Sequence, residues 1–448
     1  MLPTRVLDLD EPGTVNPMLR LQVNEIETHG SYLALSYCWG KRDPSWTPIE
    51  LRTDNLDSLV SGIDFERLPR SIQDAIIVTR DLGFRYLWVD SLCITQDDEV
   101  DKSREISQMA SIYKNAAVTI AAGIAEKASE GFLARQTAED KAYLPGYRFH
   151  IPMPGGKVGE VYLAVEDYEP DHPLDKRGWT LQEFMLSSRL LIFSDYELLW
   201  QCKEVPLRGV VSEGGLGYRQ RIESLPWTVF DESAEPDFGS HDFDKVYLWK
   251  TIIHQFTDRE LSYGEDRLRA VEGVVSELES LWRDSNVYGH WKGWFVKLLS
   301  WYKPDVDRVE ERHLERAPSW SWVSIDGGIR YEETFETEDA RVKSLTVEKV
   351  VLTCRMLGYE DIVGDMADSV RERPDLKGAA VMAEVGERDC EYLLLGQSRT
   401  ADGCGRGLGL LVLPTSGGEY RRVGLAEFLN MSIWEGVEPR DITLEPKM

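Results

Sequence analysis

A chain of 448 residues that is 42% hydrophobic and 29% charged can bury large cores, and it predicts two domains or one domain with an elaborate second lobe. Its 78 acidic residues against 51 basic ones leave a formal charge of −27, a field that repels nucleic-acid phosphates and anionic lipid surfaces. The six cysteines (Cys38, Cys93, Cys202, Cys354, Cys390 and Cys404) lack C-x-x-C spacing and the seven histidines lack an H-E-x-x-H pair, so neither a metal site nor a disulfide framework is signalled.

The chain opens at Met1 to Asp10 without a basic-then-apolar leader pattern. It contains no apolar run of about 18 residues, so the expectation is a reduced, cytoplasmic, soluble protein without a membrane span. Tyr32 to Tyr37 is a short apolar run closed by Cys38-Trp39-Gly40, which predicts a buried strand ending in a loop. Leu68-Pro69 opens a helix with Ile72, Ala75, Ile76 and Thr79 on one face, and Gly83 closes it. The strand Phe84 to Val89 follows and ends at Asp90-Ser91. A helix then starts near Asp97-Asp98, with Ile106, Met109, Ala110 and Tyr113 as its inner stripe. Ala116 to Ala122 reads as a third buried strand. Ile124 to Pro173, rich in Gly, Pro and charge, reads as an insertion with one strand-like run at Val161 to Leu163. The sheet resumes at Leu190 to Phe193, and Glu197 to Cys202 pairs with it as a hairpin.

Strands alternating with helices at this spacing predict an α/β domain with a parallel sheet covered on both faces. Ligands of such sheets gather outside the carboxyl ends of the strands. Those ends are Ser36 to Gly40, Asp90 to Cys93, and Gly123 onward. Val205 to Asp244 is rich in Gly, Ser, Pro and acid and reads as a linker. Val246 to Phe256, Asp266 to Trp282 and Gly289 to Tyr302 read as amphipathic helices. From Ala317 the pattern turns to β, with strands expected at Ser319 to Val323, Leu345 to Thr353, Glu391 to Leu395 and Leu408 to Leu413. The expected division is an α/β domain over 1–204, a linker and helical region over 205–316, and a β-rich region over 317–448.

The stretch with the most chemistry is Arg177-Gly178-Trp179-Thr180-Leu181-Gln182-Glu183. In a helix Trp179 and Glu183 share a face, and an acid beside a large aromatic loses hydration, which perturbs its pKa and lengthens the reach of its charge. The structural alternative is a first-turn glutamate favoured by the helix dipole, with the indole as core filler. Asp90 either caps the following loop or meets a ribose. Arg177 either clamps a phosphate or pairs with an acid. Ser36 either binds ligand or bonds to backbone. Cys38 and Cys93, at strand ends in apolar surroundings, read as buried, inert thiols.

Four successive blocks resemble the fungal heterokaryon-incompatibility (HET) domain: Tyr32 to Gly40 (YLALSYCWG), Leu68 to Ala75 (LPRSIQDA), Leu87 to Ile94 (LWVDSLCI) with Gln96-Asp97-Asp98, and Arg177 to Glu183 (RGWTLQE). Asp266-Arg267-Leu268 and Ala317 to Trp322 resemble the region that commonly follows it. The resemblance implies a cytoplasmic fungal protein of self/non-self recognition and programmed cell death. HET domains in turn resemble Toll/interleukin-receptor (TIR) domains, whose NAD-cleaving members carry W-C-x-x-E with a catalytic glutamate. Trp179 to Glu183 keeps that spacing, with Thr180 in the cysteine's place and a long insertion before it.

This second resemblance implies a flavodoxin-like, TIR-like parallel sheet flanked by helices, followed by a mixed helical and β C-terminal region. It also implies a nucleotide pocket with Glu183 catalytic. Ser36, Tyr37, Trp39, Gly40, Asp90, Arg177 and Trp179 would bind substrate. NAD is the implied substrate, no cofactor or metal is required, and activation comes from self-association or a partner protein. Cleaving the nicotinamide–ribose bond needs no general acid, because nicotinamide leaves neutral; the developing oxocarbenium needs one nearby carboxylate. Two other readings fit the same residues: a non-catalytic oligomerisation module, and a biosynthetic enzyme using the pocket on another small molecule. No G-x-x-x-x-G-K-[ST] motif supplies a nucleotide-triphosphatase engine.

Overall fold

The structure, a computed structural model, describes the chain apart from residues 16, 26, 42–47, 134–145, 155–156, 165–171, 195–197, 203–207, 210–244, 305–310, 333–334, 363–368, 377–389, 400–404 and 448. It forms two compact units, Met1–Glu235 and Pro236–Met448. Most of the expected linker at Val205 to Asp244 lies outside the described residues.

The first unit is mixed α/β. Its strands are β1 (Arg5–Asp8), β2 (Arg20–Val23), β3 (Tyr32–Ser36), β4 (Tyr86–Trp88), β5 (Val118–Ala121), β6 (Gly146–Met153), β7 (Lys157–Ala164), β8 (Arg189–Phe193), β9 (Leu198–Cys202) and β10 (Arg208–Gly209). Eight of them make one sheet in the order β10-β9-β8-β5-β3-β4-β1-β2. Its centre is parallel: β3 lies between β4 and β5, with Leu33 opposite Leu87 and Val118, and β5 continues to β8. Every residue of β3 is buried, as expected of a strand covered on both faces.

The sheet as a whole is not parallel, which corrects the expectation from sequence. At one side β9 pairs antiparallel with β8 as the expected hairpin, and β10 adds antiparallel to it; at the other β1, which was not expected, pairs antiparallel with both β4 and β2. The N-terminal hairpin escaped the sequence reading because four-residue strands carry too little periodicity, and because β1 buries two charges, Arg5 and Asp8, where a pattern reader expects apolar residues. Each charge is paired. Arg5 donates from Nε to the Cys93 carbonyl at 2.7 Å and from Nη2 to Asp101 at 2.5 Å. Asp8 bridges Arg20 at 2.8 Å and Arg85 at 2.7 Å, which ties β1 to β2 and to the residue before β4.

The helices of the unit are α1 (Leu56–Ser61), α2 (Arg70–Asp81), α3 (Asp90–Cys93), α4 (Glu99–Asn115) and α5 (Thr180–Leu186). The long helix α4 starts because the Asp98 carboxylate accepts from the Val100 and Asp101 amides, with Glu99 and Asp101 in the first turn favoured by the dipole. The insertion contains a hairpin, β6 with β7, rather than the single expected strand.

The second unit has the helices α6 (Lys245–Thr257), α7 (Arg269–Trp282) and α8 (Phe295–Leu298), and an eight-stranded sheet mostly of antiparallel neighbours. The run Leu345 to Thr353 is two strands, Ala340–Leu345 and Val350–Cys354, joined by a turn at Thr346 to Lys349. Two expectations fail here. Gly289 to Tyr302 is not one helix but short β pairs around α8. Tyr288 and Gly289 have φ of 48° and 81°, and the Gly289 carbonyl accepts from the indoles of Trp249 at 3.0 Å and Trp322 at 3.3 Å. Ser319 to Val323 is not a half-buried strand: all five residues are buried, and the Ser321 hydroxyl caps a 3-10 turn by accepting from the Val323 amide at 3.0 Å.

The Arg5 cluster yields a stability test. Arg5→Ala removes the buried guanidinium that faces Asp101 and Glu105 and leaves them only the half-exposed Arg104, which should cost about 2 kcal/mol. Urea denaturation followed by circular dichroism should show a lowered midpoint, whereas Arg20→Ala, which leaves Asp8 its Arg85 partner, should move it little. Equal midpoints for Arg5→Ala and wild type would deny the cluster its role.

Candidate active site at the carboxyl edge of the parallel strands

Parallel register brings the ends of β3, β5 and β8 level, with Ser36 opposite Ala121 and Ala121 opposite Ile192. Helix α5 descends onto this edge. The Ser36 hydroxyl donates a short hydrogen bond to Glu183 Oε2, although the two residues are 147 positions apart in sequence. Glu183 is 1% exposed and Ser36 is 1% exposed, so this bond is made away from water. Beneath it lies an apolar floor that includes Cys38, Ala121, Leu174, Phe184 and Ile192.

Arg177, one turn before α5, donates from Nη1 to the Tyr37 carbonyl, which fixes the guanidinium over the end of β3. Its charge acts on both Glu183 and Asp90. Burial pushes the Glu183 carboxyl above the ordinary carboxylate range, and Arg177 and the Ser36 hydroxyl pull against it. Burial likewise raises Asp90, again opposed by Arg177. For Arg177 itself burial acts downward, but Glu183 and Asp90 outweigh it and the guanidinium stands raised. The site is therefore one half-buried cation acting on two carboxylates, Glu183 buried and Asp90 partly so, an arrangement in which charge acts over short range with reduced screening.

Asp90 begins α3 and accepts from the Ser91 amide at 2.7 Å, so it caps the loop after β4. It also accepts from Trp39 Nε1, at 3.0 Å to Oδ2. Trp39 remains 36% exposed, so its ring covers the acid while facing solvent. Gly40 has φ of 83°, and a Cβ there would sit 2.3 Å from Lys127 Cβ, so only glycine fits at that crossing. Tyr37 points inward, and its hydroxyl and that of Ser91 are joined at 2.8 Å. Trp179 is half-buried and packs on the main core of the unit, where it serves as the filler that the structural alternative describes. The Cys38 and Cys93 thiols are buried, and burial pushes them up to about 11 and about 12, which makes them poor nucleophiles at neutral pH.

The geometry thus brings Ser36, Tyr37, Asp90, Arg177 and Glu183 together, with Trp39 and Gly40 at the rim. The sequence reading did not single out Tyr113, whose hydroxyl donates to the Leu35 carbonyl at 3.2 Å and whose charge state is coupled to Glu183. The available signal was a tyrosine, with a polar tip, in the otherwise apolar inner stripe of α4. Lys127 carried no sequence signal; the fold sets its Cα and Cβ against Gly40, with its amine 4.0 Å from Glu130. Farther along the edge the His172 ring and the Ser194 hydroxyl share a hydrogen bond of 2.8 Å. Among the described residues no group of three or more His, Cys, Asp or Glu could hold a metal ion, and no helix is long and apolar enough to cross a membrane.

Comparison with known proteins adds three findings. The family model described as Heterokaryon incompatibility protein (HET) matches residues 32–183, from the first residue of β3 to Glu183 itself. The chain is similar to Heterokaryon incompatibility protein 6, OR allele, of Neurospora crassa, 26% identical over 204 residues. That match takes in 38% of this chain and 30% of the relative, so less than a third of the relative's length is represented. No solved structure matches the chain.

The direction of the Glu183 shift makes a pH prediction. A carboxyl whose folded pKa lies above its unfolded value binds its proton more tightly when folded, so ionising it costs stability, and the cost grows as pH rises from about 4 upward. Glu183→Gln removes that cost and retains an acceptor for Ser36. Its melting temperature relative to wild type should climb between about pH 4 and pH 8. A gap that shrinks as pH rises would mean that Glu183 is stabilised as the anion.

Proposed function

Since residues 32–183 make this chain a heterokaryon incompatibility (HET) domain protein, we propose that it acts in fungal self/non-self recognition and programmed cell death by hydrolysing NAD at Glu183. The observation that carries this reading is the Glu183 carboxylate, desolvated at the end of the central strand, held by Ser36 and faced by Arg177. The parallel strands lie in the order β4-β3-β5-β8, which is second, first, third, fourth along the chain, the order of flavodoxin-like sheets, and this supports the TIR-like reading.

In the proposed reaction the bond between ribose C1′ and the pyridinium nitrogen breaks, and its electron pair neutralises the leaving nicotinamide. Glu183 faces the ribosyl oxocarbenium that remains. Water adds to C1′ through its oxygen and releases a proton, giving ADP-ribose. Arg177 favours the ionised form of Glu183 against the pull of burial and supplies positive charge for the pyrophosphate. The exposed indole of Trp39 stacks on the base or the nicotinamide, and Asp90 beside it meets ribose hydroxyls. No cofactor is needed, and self-association or a partner protein opens the site.

A second reading, a non-catalytic signalling module, is favoured by one observation: Glu183 is 1% exposed and one oxygen is already taken by Ser36, as in an interior structural acid. Nicotinamide release from NAD by the purified full chain, measured dilute and under crowding, separates the two. The enzyme reading expects turnover that Glu183→Gln lowers by about 10²-fold or more. A folded wild type that releases none under either condition would favour the module, and equal rates in wild type and variant would remove Glu183 from the mechanism.

A further inference from the structure

Just before α5 the chain changes direction at one residue. A 3-10 turn covers Pro173–Lys176 and α5 covers Thr180–Leu186, while Arg177 between them is extended, at φ of −83° and ψ of 132°. The side chain of an extended residue between two helical turns points where the angle between those turns sends it. That direction matters here, because the guanidinium has to reach the Tyr37 carbonyl at the end of β3.

One buried hydroxyl holds the junction. Thr180, the first residue of α5, is 0% exposed, and its Oγ1 lies 2.9 Å from the Leu174 carbonyl and 2.7 Å from the Arg177 carbonyl. The single hydroxyl proton is shared between the two acceptors. The Leu174 carbonyl also accepts from the Arg177 amide at 3.2 Å, so the 3-10 turn, the extended residue and the start of the helix are tied into one piece. A helical threonine commonly bonds back to the carbonyl three residues before it, and that habit accounts for the Arg177 contact. The Leu174 contact reaches six residues back, across the change of direction, and belongs to no helix pattern.

The charge that this junction aims is the one facing Glu183. The groups acting on the Glu183 carboxyl are Arg177, Asp90 of α3, and the hydroxyls of Ser36 on β3 and Tyr113 on α4, and the Cys38 thiol after β3 feels its charge in turn. Arg177 is the cation in this set, and it favours the carboxylate against burial. Its side chain is fixed at one end by the Tyr37 carbonyl, and its main chain at the other by the Thr180 hydroxyl.

We propose that Thr180 is a positioning residue, whose hydroxyl pins the Leu174 and Arg177 carbonyls and so aims the Arg177 guanidinium over the end of β3, where it faces Glu183. Any effect on NAD cleavage rests on the reading of Glu183 given above; the placement of the charge does not.

Thr180→Val keeps the shape and removes the proton, which frees the guanidinium from its aim and deprives Glu183 of part of its counter-charge. The folded carboxyl already lies above its unfolded value, so the stability it contributes is full below about pH 4 and is lost as pH rises; raising it further enlarges that loss. The quantity to measure is the melting temperature of Glu183→Gln minus that of the matching protein with Glu183 intact, in the full chain. From about pH 4 to pH 8 this difference should grow by about 3 °C more when Thr180→Val is present. Thr180→Ser, which keeps the hydroxyl, should restore the wild-type growth. Thr180→Cys, a weaker donor of similar size, should give a smaller change of the same sign, and it carries the test if the valine variant does not fold. With Arg177→Gln already in place, Thr180→Val should add nothing to the pH dependence, because the charge it aims is gone. A merely structural hydroxyl gives another result, a melting temperature lowered equally at every pH with the difference unchanged. That result, or a failure of Thr180→Ser to restore the growth, would overturn the proposal. Nicotinamide release plays no part in this readout, so a protein without NAD turnover would sink the enzyme reading and leave this test standing.

Discussion

The hydrogen bond from Ser36 to Glu183 joins the end of the central strand to a helix that the chain reaches only 147 residues later. Everything at the carboxyl edge depends on that closure. Helix α5 is seven residues long, too short to hold itself by propensity, and all of its residues are buried, so packing on the sheet edge is what makes it a helix. Arg177, immediately upstream, can reach the Tyr37 carbonyl only because Ser36 and Glu183 have already fixed the approach of α5 to β3.

The same closure sets the electrostatics. Two acids from different helices, Asp90 of α3 and Glu183 of α5, face one guanidinium, and each carboxyl is raised by burial more than Arg177 lowers it. Such a group is poised rather than merely stabilised, since a ligand that displaces or adds one charge changes the protonation of the others. Trp39 and Gly40 form the rim of this arrangement: one shields Asp90 with an indole that still meets solvent, and the other gives the backbone a crossing that no side chain would allow.

The second unit solves a similar problem with the opposite outcome. Arg422 is wholly buried, yet it donates to Asp375 at 3.0 Å and to the Leu299 carbonyl at 2.8 Å while lying 3.4 Å from the Trp301 ring centre. Every direction of that guanidinium has a partner, so it is a fastener. Arg267 and Arg316 are held more loosely: each donates to one carbonyl, of Gly327 and of Val323, and Arg316 pairs with the half-exposed Asp326. Indoles lie against these arginines, Trp301 on Arg422 and Trp322 on Arg267, and elsewhere in the unit Trp249, Trp291 and Trp282 make edge-to-face contacts; rings in such numbers obscure the periodicities by which strands and helices are recognised.

By itself the sequence determined the elements whose signals are local. These are the buried strands β3, β5 and β8, the proline-led α2, the Asp98-capped α4, the inert cysteines, and the spacing that sets Arg177 and Glu183 about the start of one helix. Buried parallel strands are unbroken apolar runs, and caps act within one turn, so both are written in adjacent residues. Tertiary structure alone decided the antiparallel strands β1 and β2 at the far side of the sheet, where β1 buries charges that pair with residues up to 100 positions away. It also decided the bent aromatic stretch from Tyr288 to Tyr302, where indoles from other elements claim the Gly289 carbonyl. It likewise turned Trp179 toward the core, made Ser36 rather than the indole the partner of Glu183, and brought Tyr113 to the site. Such partners are chosen by the free energy of leaving a buried polar group unpaired, a quantity that exists only once distant segments have packed together.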